Sequence, residues 1–108
     1  MSAQAYVTDS PEFLVRLADR TLKVRGRSVQ LPLREFEVAL ALVSHRGFLT
    51  RPVLGSLIWP DLPVRSSAAF AKVYVNRLRK RLGPDSDTVA TLMGGYRLIV
   101  PFAVDAQN

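Results

Sequence analysis

Between Arg65 and Leu82 the chain carries six basic residues (Arg65, Lys72, Arg77, Arg79, Lys80 and Arg81) and no acidic one. The same stretch has the period of a helix. At roughly 100° per residue, Ala68, Ala71, Val75, Leu78 and Leu82 fall on one narrow stripe, with Tyr74 at its edge. Ala69, Lys72, Val73, Asn76, Arg77 and Lys80 fall on the opposite side, flanked by Arg79 and Arg81. Ser66 or Ser67 suits the N-cap, and Gly83-Pro84 stops the helix. A helix that needs only solvation mixes both signs, because Glu–Lys pairs one turn apart stabilise it. Here no such pair exists, so an anionic partner is the simplest explanation of the charge. The cations of the last turn also meet the negative end of the helix dipole. Lys72 and Arg77 lie too far from that end for the dipole to account for them.

The surrounding segments place this helix in an order. Phe13–Leu17, Leu22–Arg25 and Val29–Leu31 alternate apolar and polar residues, which predicts an antiparallel meander over 13–31. Asp19-Arg20 and Gly26-Arg27-Ser28 read as its turns. At Leu33 the period changes to helical, with Leu33, Phe36, Leu40 and Val43 as the inward stripe and Ala39 and Leu42 widening it. Pro32 suits the start of this helix and Gly47 its end. Phe48–Thr50 is a strand fragment. Thr50 caps a second helix over about 51–59, with Pro52 in its first turn and Gly55 weakening it by ~1 kcal/mol relative to Ala. Pro60–Pro63 is a loop. Thr88–Leu92 and Tyr96–Val100 form a hairpin around Met93-Gly94-Gly95. The predicted fold is α+β: a winged helix-turn-helix with an N-terminal antiparallel sheet, three helices and a C-terminal hairpin wing. Residues 1–12 read as a flexible tail or linker, 13–103 as the domain, and 104–108 as a second tail.

Composition bounds the function. The 108 residues carry a formal net charge of +6, which favours polyanions, nucleic acid ahead of anionic lipid. There is no cysteine, so thiol nucleophiles, disulfides and Cys-based metal sites are excluded. No apolar run approaches the ~18 residues of a membrane span. His45, the single histidine, ends the first helix with no second ligand nearby, and a capping or solvated role is expected. Asp85 and Asp87 read as turn residues, and Glu35 and Glu37 as acids favoured by a helix N-terminus. Trp59 reads as core. No catalytic constellation and no cofactor fingerprint is present, so the expected activity is binding, not catalysis, with neither metal nor cofactor.

The stretch Val29–Val100 resembles the C-terminal effector domain of OmpR/PhoB-type response regulators. The matching residues are Arg34-Glu35-Phe36, Gly47 with Thr50-Arg51, Leu57-Ile58-Trp59, the run Val73–Leu82, and Gly95-Tyr96-Arg97-Leu98. Trp59–Pro63 and Tyr74–Arg79 look closest to SARP-type activators. The resemblance implies an N-terminal four-stranded sheet, a recognition helix in the major groove and a wing over the adjacent minor groove or backbone. It implies that Arg77 contacts DNA, that Tyr96 anchors the wing, and that the loop 60–65 touches RNA polymerase. It also implies a homodimer on tandem repeats and a place in the bacterial cytoplasm, at the nucleoid. The chain departs from the family pattern at Pro32, at Ala68-Ala69-Phe70, and at Met93, where the family's wing carries an arginine. Fewer DNA contacts than usual are therefore expected.

The expected function is sequence-selective binding of double-stranded DNA by a transcription regulator, with helix 66–82 in the major groove and hairpin 88–100 as the wing. The candidate DNA-binding residues are Arg65, Ser67, Ala69, Lys72, Val73, Asn76, Arg77, Lys80 and Arg97. Asn76 can pair bidentately with adenine, Val73 can meet a thymine methyl, and the cations can reach guanine or phosphate. The alternative is a winged-helix interaction module that contacts RNA polymerase or a partner regulator.

Overall fold

A computed structural model describes residues 11–107. The proposed tail 1–12 lies outside them except for Pro11 and Glu12.

The alternating segments form β1 (Phe13–Arg16), β2 (Thr21–Val24) and β3 (Arg27–Gln30), paired antiparallel with Phe13 opposite Val24 and Thr21 opposite Gln30. Phe13, Val15, Leu22, Val24 and Val29 point inward. The β2–β3 turn is Arg25-Gly26, both with positive φ (47° and 84°), so Arg27 and Ser28 belong to β3 and not to the turn. Two consecutive left-handed residues match the twist of a tight hairpin. Asp19 closes the β1–β2 turn by accepting from the Thr21 hydroxyl at 2.6 Å and its amide at 3.2 Å.

Helix α1 (Leu33–Ser44) buries Phe36, Val38, Ala39, Leu42 and Val43. The inward stripe is rotated from the expected one: Leu33 is about half exposed and Leu40 only partly buried. Pro32 is the N-cap residue, at the start of the helix. At the other end the Gly47 amide donates back to the Leu42 carbonyl at 2.7 Å, with Arg46 in the left-handed conformation between them. That is a Schellman closure, with the glycine one position later than usual.

Strand β4 (Phe48–Thr50) leads into helix α2 (Arg51–Ile58), with Thr50 at the N-cap. Helix α3 spans Val64–Leu82. Its N-cap is Pro63, not Ser66 or Ser67, because proline's fixed φ presets the chain for the first turn. Ser67, Ala71, Val75, Leu78 and Leu82 are its buried residues. Burial of each apolar one is worth about 1.5–3 kcal/mol for the larger side chains. Gly83, at φ 59°, ends the helix and opens a short 3-10 segment, Gly83–Thr88. The hairpin is β5 (Val89–Leu92) and β6 (Gly95–Leu98), with the two-residue turn Met93-Gly94, and β4 pairs with β6 to make a three-stranded sheet ordered β4-β6-β5.

A seventh strand, β7 (Phe102–Asp105), pairs parallel to β1 and completes a four-stranded sheet ordered β3-β2-β1-β7. The segment 104–108 is therefore not wholly a tail, and the N-terminal sheet is not wholly antiparallel. The cause is local: the Pro101 carbonyl accepts from the amides of Glu12 and Phe13, and this lays the following residues beside β1. Phe102 then packs over Gly47, where a β-carbon would fall 2.6 Å from its ring. The result is an α+β domain in the winged helix-turn-helix order of strands, three helices and hairpin. No helix among the described residues is long and apolar enough to cross a membrane.

Candidate nucleic-acid interface

The outward side of α3 is set by what its inward side must bury. With Ala71, Val75, Leu78 and Leu82 inaccessible, Arg65, Ala69, Lys72, Val73, Asn76, Arg77 and Lys80 are exposed. These are seven of the nine residues expected from the sequence, and they lie along one helix. Arg77 stacks its guanidinium 4.9 Å from the Tyr74 ring. Tyr74 in turn leans on Trp59, which also meets Phe70, so Trp59 is a half-buried anchor beneath the loop before α3. Arg77, Lys80 and Arg81 line a shallow cleft of about 290 Å3.

Ser67 does not belong to this set. It is fully buried, and its hydroxyl donates to the Val64 carbonyl at 3.1 Å. The reason is Gly55 on α2: a β-carbon there would lie 2.4 Å from the Ser67 carbonyl oxygen. The two helices cross backbone to backbone at this point, so Ser67 faces α2 and not a ligand. Arg97 is exposed but sits elsewhere. Side chains alternate across a strand, and Arg97 stacks over Phe48 at 5.0 Å while its neighbour Tyr96 faces inward. It lies on the sheet face opposite the one that meets α3.

Two of the six cations are held by the protein itself. Arg81 makes a two-point ion pair with Glu35 of α1, at 2.5 and 3.1 Å. The hydrogen bonds that Arg81 donates to the Glu35 carboxylate hold the guanidinium charged, above its usual range. Glu35 is buried, so it neutralises a helix neighbour as well as sitting near a helix start. Arg79 donates to the Val89 carbonyl at 2.9 Å and to the Thr91 hydroxyl at 2.7 Å, and its guanidinium lies 5.4 Å from the Tyr96 ring. It clamps β5 against α3. The same guanidinium reaches the Asn76 carboxamide oxygen at 3.4 Å, a long contact that orients the amide. Arg51 holds the wing from the other side: its amide donates to the Gly94 carbonyl at 3.0 Å, and its guanidinium to the Tyr96 hydroxyl at 3.1 Å. No sequence signal identified Arg51 or Arg79 as wing anchors, because their partners come from distant segments.

No acidic residue stands on α3 or on the hairpin, although Asp61 lies in the loop just before α3. Arg25 binds Asp85 at 3.2 Å and Asp87 at 3.1 Å, Arg27 binds Asp85 at 3.0 Å, and Arg25 also binds Glu12. Asp85 is held below its usual carboxylate range chiefly by the hydrogen bond from Arg27, and Asp87 by that from Arg25. These two are ion-pair partners within the 3-10 segment, not simple turn residues. Glu37 pairs with Arg34 and Asp19 with Arg16. None of these carboxylates stands on α3 or on the hairpin. His45 caps α1, with Nδ1 2.8 Å from the Ala41 carbonyl oxygen. Among the described residues no group of three His, Asp or Glu side chains is placed to hold a metal ion. The chain matches no family model and none of the curated proteins compared with it.

Proposed function

We propose that the domain binds double-stranded DNA sequence-selectively, as the operator-reading part of a bacterial transcription regulator. Helix α3 enters the major groove and the β5–β6 hairpin lies alongside as the wing. The observation that carries this reading is the acid-free outward face of α3, where Arg65, Lys72, Arg77 and Lys80 surround Asn76 and Val73. Such a face suits both halves of the task. Cations hold phosphates without regard to sequence, while a carboxamide and an apolar side chain near the middle of the helix meet base edges. The resemblance of Val29–Val100 to OmpR/PhoB-type effector domains points to the same reading.

The test is a pair of titrations, with an operator selected from random duplexes and with its scrambled version. Asn76→Ala removes a bidentate base contact and costs about 1–3 kcal/mol on the operator, with little effect on the scrambled duplex. Lys80→Ala weakens both alike. Equal loss on both duplexes for Asn76→Ala, or none on either, argues against reading through that residue.

A second reading has its own observation. Val53, Leu57 and Val64 are each about half exposed and line an apolar groove of about 330 Å3 with Pro52 and Ser56, at the edge of the 60–65 loop. This groove suits a protein contact such as RNA polymerase or a second copy of a regulator. Val64→Lys tests it: transcription activation falls while operator affinity stays unchanged or rises.

A further inference from the structure

Met93 is 87% exposed, far more than any other large apolar side chain among the described residues. It also sits at φ 50°, in the left-handed region, as the first residue of the hairpin turn. Both facts oppose folding. An apolar side chain in water gains nothing from burial, and in the left-handed conformation a β-carbon crowds the following carbonyl, a cost that Gly lacks and that Asn offsets by local hydrogen bonding. Nothing within the described chain compensates, since Met93 packs on no part of the core. Its neighbour Leu92 is also 40% exposed, so the tip of the hairpin is apolar on two successive residues.

The tip is held in place from both sides. The Arg51 amide binds the carbonyl of Gly94 in the turn, and Arg79 binds β5 at Val89 and Thr91. Thr91 is two residues from Met93, about 7 Å of strand. The clamp on Thr91 comes from the same guanidinium that touches Asn76. The apolar point is therefore fixed relative to the N-terminus of α2 and the middle of α3, beside the cationic face. A wing that served to grip phosphate would end in a cation, and this one does not.

Resting on the DNA reading above, we infer that Met93 is an apolar wedge that enters the minor groove beside the α3 site, partly unstacks one base step and bends the duplex. An unbranched, polarisable thioether suits this insertion, which needs van der Waals contact with base faces and no hydrogen bond. Specificity follows without a polar contact: pyrimidine–purine steps unstack most readily, so TA or CA beneath the wing is favoured over stiffer steps.

The experiment uses the full chain and an operator selected from random duplexes, about 30 base pairs long and labelled at both ends for energy transfer. The wild type bends it by an angle on the order of 20–90°. Met93→Asn, which suits the left-handed turn and keeps the hairpin folded, loses most of the bend and the preference for TA or CA at that step. Met93→Leu, which keeps an apolar side chain, retains both. Thermal melting verifies that each variant is folded. A straight duplex in the wild-type complex, or a bend unchanged by Met93→Asn, overturns the wedge and leaves the DNA reading intact. The second outcome would assign the tip to a protein partner instead. Failure of the wild type to bind any duplex overturns the DNA reading first and the wedge with it.

Discussion

Arg79, Lys80 and Arg81 follow one another on α3, yet only Lys80 is without a partner among the described residues. A run of three cations in the last turn reads from sequence as one feature. Their side chains diverge because each helical step turns the next residue by about 100°, sending one to the hairpin, one outward and one to α1. The partners, Thr91 and Glu35, are remote in the chain, so their roles were not legible, whereas the outward placement of Lys72, Asn76 and Lys80 followed from the helical period alone. Arg81→Ala leaves the Glu35 carboxylate, only 4% exposed, without its cation. The expected loss is about 2–3 kcal/mol, tempered because water can enter where the half-exposed arginine stood. Urea denaturation measures it. Operator affinity of the folded variant changes much less than for Lys80→Ala.

Elements meet where residues are small. Gly55 looks from sequence like a weak point in α2, and helix propensity says that Ala there should stabilise by ~1 kcal/mol. Against the backbone of Ser67 and Ala68, which a β-carbon would approach to 2.4–2.8 Å, the sign reverses. Gly55→Ala is expected to destabilise by at least about 1–3 kcal/mol, because backbone cannot move aside as a flexible side chain can. A lower thermal midpoint, with operator affinity reduced through a changed angle between α2 and α3, is the expected result. A rise in the midpoint would mean that the helices are not in contact here. The one buried residue among the candidates was legible in part: four residues before Ala71, Ser67 falls about 40° from it on the buried stripe, and the crossing shows that α2 is what covers it. Helix and strand identities were legible because their periods are local. Strand β7 was missed because four residues after Pro101 carry little period, and their partner is β1, at the other end of the domain.

For the whole molecule, charge falls into a paired set and an unpaired set. Carboxylates and arginines satisfy each other around the β2–β3 turn and the 3-10 segment, where Arg27 also reaches the Leu82 carbonyl at the end of α3, while α3 carries cations that no carboxylate pairs among the described residues. Four of them, Arg65, Lys72, Arg77 and Lys80, share the proposed DNA face. If three or four phosphates are neutralised, log K falls with log salt at a slope of about −3 to −4. Met93→Arg is expected to steepen that slope by about one unit. Salt-independent affinity in duplex titrations contradicts the DNA reading. The paired set governs the response to acid. Asp85 and Asp87 titrate below their unfolded values, so the unfolded chain takes up protons first as pH falls. Stability is then flat from neutral pH to about 5 and drops below about 4, through the range where these carboxyls protonate. Denaturation midpoints across that range test this, and Asp85→Asn with Asp87→Asn should flatten the acid limb.

The pairing of β7 with β1 also sets an order of events during synthesis. The helices, the β1-β2-β3 meander and the β5–β6 hairpin have neighbours close in sequence and can form as the chain emerges. The first strand must wait for the last: Phe13 meets Phe102 only after nearly the whole domain has left the ribosome. Such a late, long-range contact slows folding, since loop-closure entropy is spent before it is repaid. Until then the open edge of β1 is a template on which a neighbouring nascent chain could pair, so crowded polysomes, more than heat, are where this domain is most exposed to misassembly.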